Sequence, residues 1–274
     1  MSDQLQDERS MGFFDHIDEL RGRLVRSVFV FLIGFGICYG LLVEPVMEFL
    51  KQPLFLNFPP EQQKLYFTNL FENFLTHLKI SAYCGLFGFS PYFFFELWGF
   101  IAPGLYPHER KWVFPFVFVA SLFFIGGAAF AYYVVFPVGF KFFITFGSET
   151  DVPLLTIDAY FSTVLKLLLL FGIVFELPVI LTFLGFLGLV DAKMLKRQRA
   201  NAIIGITVMS AFFAPPDAVS MLLMMGPLFL LYEGSIWAVQ LIGRKRAARE
   251  SATEEKPAEV VPQSHKDSVR RDDS

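Results

Sequence analysis

WVFPFVFVASLFFIGGAAFAYYVVF, residues 112–136, contains no Asp, Glu, Lys, Arg or His. About 20 apolar residues in a helix cross the ~30 Å of hydrocarbon in a bilayer, so this run predicts a transmembrane helix. Trp112, Tyr132 and Tyr133 lie near its ends, as interfacial aromatics do. Working outward by the same criterion, residues 80–95, extended through 97–101, form a second such run. Residues 24–43 form another, with Arg26 near its start, where the long side chain can snorkel to the headgroups. Residues 167–190 are uncharged apart from Glu176 near the middle. Residues 202–214 and 218–232 are shorter, and Pro215-Pro216-Asp217 between them forces a turn. The last run extends through 236–241 if Glu233 is tolerated near the interface. The fold class expected is all-α: a polytopic membrane protein with six transmembrane helices, the last two short.

Composition agrees. Of 274 residues 54% are hydrophobic and 18% charged, more apolar material than one soluble core hides. Two Cys rule out a secreted disulfide scaffold, and a net charge of -3 speaks against a nucleic-acid partner. Cys38 and Cys84 fall inside predicted spans and are expected to pack as small apolar residues rather than as a disulfide.

The sequence also implies an orientation. Sorted by the loops between runs, 18 of the 23 Lys and Arg lie on the side of the two termini and five on the other (Lys51, Lys64, Lys79, Lys141, Lys166). The positive-inside rule then puts both termini in the cytoplasm. Residues 1–19 carry six acidic groups and one Arg, and no small-residue cleavage site follows the first apolar run, so that run is expected to stay in the mature protein. The organisation expected is a cytoplasmic amphipathic segment (1–23), a six-helix membrane domain (24–242) and a disordered cytoplasmic tail (243–274). Residues 44–77 form an outer loop stiffened by Pro53, Pro59 and Pro60, in which Glu44, Glu48, Glu61 and Glu72 read as a solvated face.

Enzyme signatures are missing. There is no GxSxG, His108-Glu109-Arg110 is not HExxH, and Cys and His are too few and scattered for a metal or haem site. No catalytic residue, metal or cofactor is expected, which leaves recognition or transport.

Three places carry chemistry. In the segment before the first span, Phe13, Ile17, Leu20 and Leu24 are spaced by 4, 3 and 4 residues, an apolar stripe for a membrane surface. Glu19 and Arg23 are an i,i+4 pair in the favourable order, by spacing alone most simply a solvated salt bridge. The second cytoplasmic loop, residues 100–110, has two Pro and one Gly, which make a stiff turn holding a single carboxylate, Glu109. Glu176 is the hardest to explain away. An acidic group at the bilayer centre costs on the order of 3 kcal/mol on insertion scales, so it needs a partner, a cavity or a pathway. Pro178 beside it removes a backbone donor. A proton-coupled small-molecule transporter using Glu176 as relay is an alternative, but the two halves lack the matching broken helices of repeat-built transporters.

At these residues the sequence resembles the TatC family, the multispanning receptor subunit of the twin-arginine protein translocase. The matching stretches are HIDELRGRL (16–24), FIAPGLYPHER (100–110), FAYYVVFP (130–137), FELPV (175–179), GLVDAKMLKRQR (188–199) and APPD (214–217), in one order over about 200 residues. Glu96 departs from the pattern, which has Gln there. The resemblance implies a receptor that captures signal peptides bearing two consecutive arginines. It further implies passage of folded cargo across the bacterial inner membrane under the proton motive force, with TatA and TatB as partners, the lipid bilayer around it and self-association in the complex. It assigns Glu19 and Glu109, with Phe100 and Arg21, to the twin-arginine site, and Glu176, Pro53 and Asp217 to contact with partner helices or the inserted peptide. Each guanidinium fork pairs best with a planar carboxylate, a physical reason for Arg over Lys.

Overall fold

The computed structural model describes residues 2–59, 63–102, 110–146, 154–213 and 218–254. Helix α1 (Ser2–Ile37) runs through a π-helical turn, Cys38–Leu42, into α2 (Val43–Phe55). The next two helices, α3 (Glu72–Gly88) and α4 (Ser90–Ile101), meet at a 58° bend. A 3-10 turn, Arg110–Trp112, opens α5 (Val113–Phe130), which passes through a second π-helical turn, Ala131–Val135, into α6 (Phe136–Phe146). Helix α7 (Ile157–Phe186) is followed by short α8 (Ala192–Arg197), α9 (Arg199–Phe213) and α10 (Ala218–Glu254). Among the described residues the β-pairing found is one isolated parallel bridge, Tyr66 with Thr156.

Four helical stretches are long and apolar enough to cross a membrane: His16–Phe55, Arg110–Thr145, Ile157–Phe186 and Met224–Arg244. The bent pair α3–α4 makes a fifth, and the short apolar α9 is compatible with a sixth. The outward faces are those of a protein in lipid: Phe29, Phe114, Phe118, Ile204, Val208 and Phe212 are all exposed, an inversion a water-soluble protein rarely sustains. Glu233 is accommodated in α10 because Arg199 donates to it at 2.6 Å, and the helix continues through residues 236–241.

Two differences from the expected boundaries have plain causes. The first stretch has 40 residues, about 60 Å at 1.5 Å per residue, roughly twice the hydrocarbon thickness. So α2, expected as loop, is a helix that projects beyond the span, and α6 projects in the same way at the end of the 36-residue stretch Arg110–Thr145. The single helix expected over 80–101 is broken at Phe89 because Pro91, in the first turn of α4, has no N–H with which to continue α3. At the other end of the chain α10 carries on to Glu254, past the expected start of the tail.

The centre of the bundle is α7, with Phe161, Val164 and Phe171 wholly buried and Leu165, Leu168 and Val174 around them. It packs closest on α5, and glycine permits that approach. A Cβ on Gly127 would stand 2.4 Å from the Phe171 carbonyl oxygen, and one on Gly172 would stand 2.8 Å from the Phe124 ring. With no hydrophobic drive between helices in lipid, small residues that let backbones touch carry much of the association. Helix α7 ends in a Schellman motif: Gly188 has φ 76°, its N–H donates to the Gly185 carbonyl, and the Leu189 N–H donates to that of Leu184.

Candidate functional site

The polar side chains collect at two ends and one interior point. At the end bearing the start of α1, His16 stacks on Phe100 with ring centroids 4.3 Å apart, which ties α1 to the C-terminal end of α4. Glu19 lies one turn further along, with its Oε2 3.9 Å from His16 Nδ1. Arg23 Nε and Nη2 both donate to Glu19 Oε1, at 3.0 and 2.7 Å. The hydrogen bond from Arg23 holds the Glu19 carboxyl below its ordinary value of 4.5, so it is ionised at neutral pH. Ile17, Leu20 and Leu24 are exposed along one face, leaving the apolar stripe read from their spacing free for a membrane surface.

Glu96, noted from the sequence only as a departure from the family pattern, is the best-connected carboxylate of this end among the described residues. It is buried, receives Arg23 Nη1 at 3.0 Å and Arg26 Nη2 at 3.3 Å on Oε2, and takes the Tyr92 hydroxyl at 2.8 Å on Oε1. The departure from the family pattern was the available signal. Arg21, by contrast, is exposed and makes no ion pair among the described residues. Glu109 and Asp217 lie outside the described residues; Phe100 and Arg110 bracket the segment that carries Glu109, and Arg110 Nε donates to the Ala102 carbonyl.

Glu176 sits on α7, 8% exposed, and its Oε1 has no hydrogen-bond partner among the described residues. The same holds for Thr76 Oγ1 on α3 and Ser210 Oγ on α9. A carboxyl hydrogen-bonded within the bundle is therefore not what this arrangement provides at that oxygen. Leaving a buried polar group unmatched costs about 1–3 kcal/mol.

At the opposite end Glu72 is not part of a solvated face. It is 7% exposed and accepts the Thr68 N–H (2.7 Å), the Thr68 hydroxyl (3.0 Å), the Asn69 N–H (3.3 Å) and, across the bundle, the Asp158 N–H (2.8 Å). Those donors, led by the Asp158 and Thr68 N–H groups, hold its pKa below the ordinary 4.5. Lys79 pairs with Asp158 beside it, and Tyr66 exchanges backbone bonds with Leu155 and Ile157. Pro53 is buried in α2 nearby, and Tyr132, expected at an interface, is buried with it. Cys38 and Cys84 are free thiols on neighbouring helices, their sulfurs 3.0 Å apart. No cluster of three or more His, Cys, Asp or Glu able to hold a metal occurs among the described residues.

Comparison with known proteins gives one consistent result. The family profile described as Sec-independent protein translocase protein (TatC) matches residues 15–227. The Sec-independent protein translocase protein TatC of Desulforapulum autotrophicum is 40% identical over 250 residues, covering 91% of this chain and 92% of that one. Its counterpart in Magnetococcus marinus is 42% identical over 247 residues, 90% of each. A crystal structure of the twin-arginine translocase receptor TatC superposes with a TM-score of 0.73 at 36% identity, covering 83% of this chain and 99% of that one.

Proposed function

The chain belongs to the TatC family of Sec-independent protein translocase proteins, and from that premise we propose that its Glu19 end is where twin-arginine signal peptides are received. It is a receptor component of the translocase, a multi-pass membrane protein and not an enzyme. The observation that carries the site is the Glu19–Arg23 pair: this carboxylate, ionised and 35% exposed, already holds a guanidinium on one oxygen, at 2.7 and 3.0 Å. Among the described residues its second oxygen meets only the His16 ring, at 3.9 Å, so a second guanidinium has an acceptor. Phe100, stacked on His16 beside it, offers an aromatic face to the same group. Glu109 is the second acceptor, carried by the segment that Phe100 and Arg110 bracket, and Arg21, exposed on the next turn, sets local charge.

On this reading the Glu19 end faces the cytoplasm of a bacterial inner-membrane protein, with 18 of 23 basic residues on that side. Residues 1–23 act as the surface helix, 24–242 as the membrane domain and 243–274 as the cytoplasmic tail. Glu176 is the interior contact for the helices of TatA or TatB or for the inserted peptide: a polar group from outside would satisfy its unmatched Oε1, an interaction worth about 1 kcal/mol in membranes. Asp217 and the short α9 belong to that partner face, while Pro53 acts through the shape of α2. Folded cargo then crosses using the proton motive force, with further copies of this chain in the assembly.

The test is binding of a fluorescent twin-arginine peptide, against its twin-lysine version, to the purified full-length chain in detergent. Glu19→Ala and Glu109→Ala should each weaken the arginine peptide about tenfold or more, and the lysine peptide should bind poorly throughout. Wild-type binding in the double variant would remove these residues from the site.

A further inference from the structure

Arg23 is not simply the partner of Glu19. Its guanidinium lies between two carboxylates, giving Nε and Nη2 to Glu19 and Nη1 to Glu96. The two acceptors differ: the Glu19 side chain is 35% exposed and the Glu96 side chain 7%. The exposed one is where an incoming arginine would have to bind, and Arg23 already holds one of its two oxygens. The buried one is fixed in place by the Tyr92 hydroxyl and shared with Arg26, whose own side chain is 59% exposed and free to turn to water. Helix α4 clears the way between them at Gly99, where a Cβ would stand 2.3 Å from Arg23 Nη1. The guanidinium therefore lies against the Gly99 backbone, with no side chain between it and α4 at that point.

We propose that Arg23 is an internal occupant of the Glu19 site, and that Glu96 is the acceptor that takes Arg23 over when a signal-peptide arginine claims Glu19. The inference rests on the reading of Glu19 as a signal-peptide acceptor. An arginine entering at Glu19 without such an exchange would bring a second positive charge against Arg23 at one carboxylate. With it, two guanidinium groups face two carboxylates, and Arg26 gives up its share of Glu96 to solvent at small cost because it is already exposed. Glu96 is thus a positioning residue for recognition. A peptide with lysine at this position is disfavoured twice, since it must displace a fork it cannot itself replace.

The experiment is a double-mutant cycle on peptide affinity in the full-length chain, with Glu96→Gln, Arg23→Gln and the pair, and with Glu19→Ala as a separate arm. Without the charge on Glu96, Arg23 has no second acceptor and competes harder, so Glu96→Gln should weaken the twin-arginine peptide about three- to tenfold. Arg23→Gln should tighten it, and Arg23→Gln in the Glu96→Gln background should restore affinity to wild type or better. Arg23→Lys, which keeps the charge and loses the fork, should recover part of the loss and covers the case in which Arg23→Gln fails to insert. Wild-type affinity in Glu96→Gln, or a loss that no Arg23 substitution reverses, would overturn the exchange. If Glu19→Ala itself binds normally, the receptor reading of Glu19 fails instead, whatever the cycle shows.

Discussion

The Tyr132 hydroxyl donates to the Phe49 carbonyl at 2.7 Å, and that carbonyl is the one that Pro53, four residues on, cannot satisfy. In an α-helix the oxygen of residue i takes the N–H of residue i+4, and Pro has none. Tyr160 donates to the next carbonyl, Leu50, at 2.6 Å, in addition to the helical position of Leu54 four residues on. The projecting helix α2 is thus stitched by two tyrosines to the second π-helical turn and to α7, and Tyr132 stacks on Phe49 as well.

Tyr132→Phe is expected to cost about 1 kcal/mol of stability, because it removes the donor from a part-buried carbonyl that the helix leaves unmatched. In a Pro53→Ala background the backbone N–H returns and the same substitution should cost less than half as much. Thermal unfolding of the four proteins in detergent measures the difference; equal costs in both backgrounds would mean that the hydroxyl does not stand in for the missing N–H.

Glu72 carries a pH dependence whose sign is fixed by its donors. Its pKa lies below the ordinary 4.5, so the stability it contributes is complete above that pH and is lost as pH falls through the depressed folded value. Melting temperature followed from pH ~7 down to ~3 should drop in the wild type below pH 4.5. Glu72→Gln should start lower and show a flatter acid limb, and an unchanged limb would place the acid sensitivity elsewhere.

Gly127→Ala tests the contact between α5 and α7. The added Cβ would meet the Phe171 carbonyl at 2.4 Å, backbone that cannot turn aside, so the helices must part, at about 1–3 kcal/mol. Gly126→Ala, where nothing lies within 4 Å, is the control and should melt like wild type.

Glu176→Ala should leave peptide binding at the Glu19 end intact while changing site-specific cross-links from α7 to the TatA and TatB helices. The unmatched Oε1 is what a partner would satisfy. Identical cross-links in the variant would make Glu176 a matter of packing alone.

The charge-free runs were legible because hydrocarbon tolerates little else: 112–136 falls within the helical stretch Arg110–Thr145, and 167–190 overlaps α7 as far as Phe186. Helix α2 was not, since hydropathy marks where lipid is and not where a helix stops. The bend at Phe89 was written in Pro91 but hidden by an otherwise unbroken apolar run. Glu19, Phe100 and Glu176 were singled out from motif and chemistry, and the structure describes their surroundings. Glu96 and Glu72 were missed for a common reason: each draws its importance from groups distant in sequence, Arg23 and Arg26 for one and the Asp158 N–H for the other. No periodicity reports such partners. Pro53 was noticed for its stiffness, and its consequence became visible only with Tyr132 in place.

The most direct test of the receptor assignment is export of a folded reporter in bacterial cells lacking their own receptor and supplied with this chain together with TatA and TatB. The account predicts that a reporter with a twin-arginine signal reaches the periplasm. The same reporter with twin lysine should stay behind, and Glu19→Ala with Glu109→Ala should stop export while the protein remains membrane-inserted at wild-type level. Export that persists in that double variant, or that ignores the change from arginine to lysine, would contradict it.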